Sequence, residues 1–188
     1  MNDYMILGNG KRNYRICVLL FAALSLVTVI AVQIVHAVNG TPSETHRFLL
    51  YGAELLMLLA GIFRSYFFFL AATVYCTLRQ VVALVLIAMR EGAFTSPVAF
   101  DAMTTLALLF LSASLAWQTV LFFFGHADNV ALTHTSLIFV IFSLVLTFLP
   151  YMMLLFMQNP PVAESYNVVF LALSFLAFSG GIEKKPAA

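Results

Sequence analysis

Four ionisable side chains, Glu54, Arg64, Arg79 and Arg90, fall in or just after one apolar stretch, residues 48–89. A charge at bilayer depth costs roughly 2.5–3.5 kcal/mol on insertion scales, so such groups mark ion or proton paths by default. On one continuous helix, at ~100° per residue, Glu54, Arg79 and Arg90 share a face within about 20°, and Arg64 lies roughly 60–80° off it. That stripe suits an anion path or a proton relay. Only Glu54 can take up and release a proton, because guanidinium stays charged with a pKa above ~12. The plainer account is that these residues sit at interfaces or pair with another subunit. Arginines spaced 15 and 11 apart do not form the dense array of a voltage sensor.

Histidine is the second source of chemistry. His36 and His46 flank residues 39–47, and His126 and His134 flank residues 125–133, with Glu44, Asp128 and Asn129 in the same connections. Imidazole with carboxylate suits zinc, copper or iron. An axial pair, His36 with His126 or His134, suits haem. Spacings of ten and eight match no compact ligand motif. Asp101 near the start of a helix is accounted for by the helix dipole alone. Ser112, Ala113, Ser114 and Ala116 form a small-residue patch of the kind that lets membrane helices approach closely. Cys17 and Cys76 both sit inside apolar segments, so the sequence holds no disulfide framework. No phosphate loop, HExxH, CxxC or nucleophile elbow occurs.

The elements that must position these residues are membrane helices. The 188 residues are 63% hydrophobic and 9% charged, with a mean hydropathy of +1.01. A soluble domain is about 45–50% apolar and about 25% charged. Lipid must therefore cover this surface. The net charge of +1 and the scattered Lys and Arg exclude a nucleic-acid footprint. Continuous apolar runs predict helices rather than barrel strands, which alternate over ~10 residues.

Five segments are expected: 16–38, 48–89, 98–124, 134–157 and 166–178. The first is too long for the ~7–15-residue core of a signal peptide, and so reads as a span. The second, 42 residues without proline, reads as one long or kinked helix bending near Gly61, since no usual turn residue lies near Arg64 and Ser65. Thr133 is a candidate cap for the fourth segment, and Pro150 predicts a kink in it. The fifth is short enough to be interfacial or re-entrant. The predicted fold is an all-α polytopic helix bundle with four spans plus this short fifth segment, in one domain.

Cytoplasmic loops carry the Lys and Arg excess. Four crossings with Lys11, Arg12 and Arg15 inside also put Arg90, Lys184 and Lys185 inside, and all four histidines outside. Three functions follow as expectations. The leading one is an accessory or structural subunit of a larger membrane complex, with no chemistry of its own and with lipid and other subunits as partners. The second is a metal- or haem-binding redox subunit using the histidines. The third is a small homo-oligomeric transporter or channel with Glu54 and Arg79 in its path.

Overall fold

The computed structural model describes residues 4–7, 12–38, 51–89, 96–153 and 166–184. It contains six helices: α1 (Arg12–Val38), α2 (Gly52–Phe63), α3 (Tyr66–Ala88), α4 (Ser96–Phe123), α5 (Asn129–Met153) and α6 (Tyr166–Gly181). Two short strands, β1 (Tyr4–Leu7) and β2 (Ile182–Lys184), pair antiparallel beside the start of α1 and the end of α6. In lipid each backbone N–H and C=O must be satisfied within its own segment, so apolar runs of this length become helices. Among the described residues, α1, α3, α4 and α5 are long and apolar enough to cross a membrane. The chain is a multi-pass integral membrane protein. At ~1.5 Å per residue α2 and α6 reach only ~18 and ~24 Å, short of a bilayer core of ~30 Å.

The stretch at 48–89 is not one long or kinked helix. It folds back on itself at Arg64 and Ser65. Arg64 is left-handed (φ 53°, ψ 36°) and donates its N–H to the Ala60 carbonyl, and Ser65 is extended. The reversal lays α2 antiparallel against α3, so that Glu54 meets Arg79 and Gly52 meets Tyr75. An arginine in this conformation carries no signal in the sequence, because Gly or Asn is the usual left-handed cap. Close packing compensates for the strained turn. A Cβ on Gly52 would fall 2.2 Å from the Tyr75 ring, and one on Gly61 would fall 2.8 Å from Leu19. The two glycines are therefore sites of close helix approach rather than breakers.

Helices adjacent in the chain pack on one another, and α6 closes the series against α1. The contacts fix their direction. Arg15, early in α1, reaches Gly61 and Ile62 at the end of α2. Tyr66, at the start of α3, donates to the Thr119 carbonyl near the end of α4 (2.6 Å). Tyr14 touches Gly180 near the end of α6, and Asn129 at the start of α5 reaches Ile182. One end of the bundle thus holds the starts of α1, α3 and α5, the ends of α2, α4 and α6, and the strand pair.

The C-terminal segment is neither interfacial nor dipping. Helix α6 lies inside the bundle, with Leu171, Ala172, Ser174, Phe175 and Phe178 fully buried. At ~100° per residue those positions cover about 160° of the helix, and Phe170, Leu173, Leu176 and Gly180 on the opposite face are half-buried. Phe178 stacks on Phe69 of α3 at 4.5 Å between ring centres, and Phe175 meets Phe69 and Phe139 of α5. The hydroxyls of Ser174 and Ser179 bond to carbonyls of their own helix. Helix α5 begins at Asn129, so Thr133 lies inside it and is not its cap, and Pro150 falls within it before its end at Met153.

Candidate functional site

Ser25 is the middle residue of α1, ~20 Å from either end of the helix. At that depth its hydroxyl donates to Oε1 of Glu54 (3.4 Å), and Nη1 of Arg79 donates to the same oxygen (3.3 Å). Glu54 and Ser25 are fully buried and Arg79 is 7% exposed. Three helices supply the cluster: α1 the hydroxyl, α2 the carboxylate and α3 the guanidinium. Glu54 also lies in the first turn of α2, where the helix dipole favours a negative charge. Thr73, Cys76 and Gln80 of α3 are buried on either side of Arg79.

Two opposite charges this deep cancel at short range. The pair removes the need for a partner subunit to neutralise either one. Buried ion pairs add little net stability, but loss of one partner is costly. The arrangement offers one group that can carry a proton, Glu54, beside one that cannot.

The remaining candidates do not join this cluster. Arg64 lies at the helical turn, half-buried at the basic end of the bundle. Arg90 and His46 fall outside the described residues, and so does the proposed face shared by Arg90 with Glu54 and Arg79. Glu54 and Arg79 do meet, but across a hairpin and not along one helix.

The three histidines among the described residues, His36, His126 and His134, do not share one end of the bundle. His36 is two residues from the end of α1, whereas His126 lies in the turn between α4 and α5, at the end where α1 begins. The length of α1, ~40 Å, separates these ends. His126 and His134 are exposed. Among the described residues no group of three or more His, Cys, Asp or Glu could hold a metal ion. An axial pair of His36 with His126 or His134 is excluded by that separation.

Ser25 and Arg15 are polar positions whose roles the sequence did not reveal. Arg15 donates from Nε to the Gly61 carbonyl (3.0 Å) and from Nη2 to the Ile62 carbonyl (3.3 Å), satisfying the open end of α2. A lone serine in an apolar run gives no hint that a carboxylate comes to it. Four other buried hydroxyls bond to their own helices: Ser112 to Leu109, Thr119 to Leu115, Ser136 to Leu132 and Ser143 to Phe139. They are therefore not bonds between helices. Of the small-residue patch, Ser112 and Ala116 are buried, Ala113 is half-buried and Ser114 is exposed. Comparison of the chain with protein families, with curated proteins and with solved structures gives no match.

Proposed function

We propose that the chain is an accessory or structural subunit of a larger membrane assembly, acting through its lipid-facing surface and carrying no chemistry of its own. The observation that carries this reading is the filled interior. Helix α6 packs along α1 and α5, and Phe178 and Phe175 stack on Phe69 of α3 and Phe139 of α5. Among the described residues, the pair of charges at mid-depth, Glu54 and Arg79, is matched within the chain. What remains to interact is the outside: Leu20, Val27 and Ile34 of α1, Leu78 and Val85 of α3, Phe110 and Trp117 of α4, and Phe142 and Phe148 of α5 are all exposed.

A specific observation favours a second reading, a homo-oligomeric transporter. Glu54 is a carboxyl at mid-depth, at the start of a half-length helix, a geometry that transporters use for ion and substrate sites. A metal or haem subunit loses ground, because its histidines are at opposite ends.

For orientation, the end that carries Arg12, Arg15, Arg64 and Lys184 is read as cytoplasmic, and with it the N-terminus. The test of the main reading is the mass and composition of the particle purified in mild detergent, with its visible spectrum. Co-purifying polypeptides and a blank spectrum support the subunit. A particle of this chain alone overturns it, and a Soret band or bound metal would bring back the redox reading.

A further inference from the structure

Between α3 and α4 the outer surface is notched. Val74, Thr77 and Leu78 form one wall, Trp117 and Val120 the other, and Ala113 and Ala116 the floor, enclosing about 260 Å³. The lining is almost wholly apolar, and Leu78 and Trp117 are more than half exposed. The volume is below the ~300–1,000 Å³ of a small-molecule site, which suits part of a hydrocarbon chain.

Its depth can be read from either wall. Val74 and Leu78 lie ~12 and ~18 Å along the axis from Tyr66, the start of α3. Trp117 and Ala113 lie ~9 and ~15 Å from Phe123, the end of α4. Both starting points are at the same end of the bundle. The groove therefore sits within the leaflet on that side, since half a bilayer core is ~15 Å. Phe67 and Phe124, seven residues from Val74 and Trp117, extend the two apolar walls towards that end and are exposed.

That end is the basic one. Arg64 lies two residues before Tyr66, at the end of the α3 wall, and Arg12, Arg15 and Lys184 share that end of the bundle with the acidic Asp128 and Glu183. A groove of acyl-chain width below a cationic rim matches the shape and charge of one molecule class. We propose that an anionic phospholipid binds here, with its phosphate at Arg64 and one acyl chain between α3 and α4. Leu78 and Trp117 also belong to the outer face that the subunit reading offers to protein partners, so a partner seated on that stretch excludes the lipid.

Trp117 is the single tryptophan and lines the groove, so its fluorescence reports on the site. The protein is reconstituted into phosphatidylcholine vesicles containing brominated phosphatidylcholine or brominated phosphatidylglycerol. The expected result is a preference of about fivefold for the anionic lipid, the contribution of one surface arginine. High salt lowers it, Arg64→Gly abolishes it and Arg64→Lys retains it. Glycine suits the left-handed turn, so Arg64→Gly removes the charge without straining the hairpin. Ala113→Leu fills the floor and reduces quenching by both lipids, an independent readout should the turn variant misfold. Equal quenching by both lipids overturns the proposal, as does a preference that survives Arg64→Gly. Absence of quenching overturns it too, since the groove is then covered by protein.

Discussion

The buried pair at mid-depth makes an asymmetric prediction. In Glu54→Leu the guanidinium of Arg79 remains at the centre of the bilayer, where it can neither leave nor lose its proton. Removing one partner of a buried pair costs about 3–5 kcal/mol, a large share of the ~5–15 kcal/mol that holds a domain folded. In Arg79→Met the stranded group is Glu54, which can take a proton and stay bonded to Ser25 as a neutral acid. The cost then falls to about 1–3 kcal/mol, that of an imperfectly satisfied buried polar group. The double variant Glu54→Leu/Arg79→Met removes both charges and returns to within ~1 kcal/mol of the parent, or exceeds it. Denaturant unfolding in mixed micelles measures all four proteins as a double-mutant cycle. The reasoning fails if Arg79→Met is the worse single variant, or if the double variant is as unstable as Glu54→Leu.

Cysteines placed at His126 and Lys184, in a chain with Cys17→Ala and Cys76→Ala, label from the same side as the N-terminus, while Val38→Cys and Met89→Cys label from the other. Labelling of positions 38 and 126 from one side would contradict the alternation of α1 to α6. Gly52→Ala pushes a Cβ into the Tyr75 ring and lowers the thermal midpoint in detergent by an amount corresponding to about 1–3 kcal/mol, and Tyr75→Ala in the same chain restores it. Phe175→Ala empties the space between Phe69 and Phe139, costing about 3–5 kcal/mol by the same assay, whereas Phe110→Ala, on the exposed face of α4, changes little.

Much of the helix map was legible because lipid imposes it. Continuous apolar runs have few alternatives, and α1 and α4 fall within a few residues of the segments read from composition and turn residues. The hairpin was not legible, because its turn uses Arg64 in a conformation that sequence assigns to glycine. Once that turn is missed, the crossings that follow are assigned to the wrong sides. This is how His126 was placed with His36, and why a charge count could favour four crossings. Basic residues agree with the observed arrangement as well: Arg64 joins Arg12, Arg15 and Lys184 at one end only when 48–89 is folded in two. Glu54 and Arg79 were legible as a pair, but for a different reason from the one that holds. On one helix a shared face still leaves residues 25 apart separated by ~37 Å, whereas the hairpin puts them in contact.

The short C-terminal helix shows how a weak signal in one setting is a strong one in another. In water, a 16-residue apolar helix without an amphipathic face would be read as core. In a membrane the same property is ambiguous, because lipid can cover it as well as protein can. Length leaves it open, and the placement of the basic residues favours four crossings with this segment at the surface. The small and aromatic residues of α6 carry the better discriminator. Ala172, Ser174, Ala177 and Ser179 let neighbouring helices come close, while Phe175 and Phe178 fill the spaces between them. Each serine hydroxyl bonds to its own helix, so the polar groups need no contact outside it. A helix facing lipid gains nothing from that mix of small and bulky residues. A helix surrounded by protein needs it, since van der Waals packing is what holds membrane helices together once both phases are apolar.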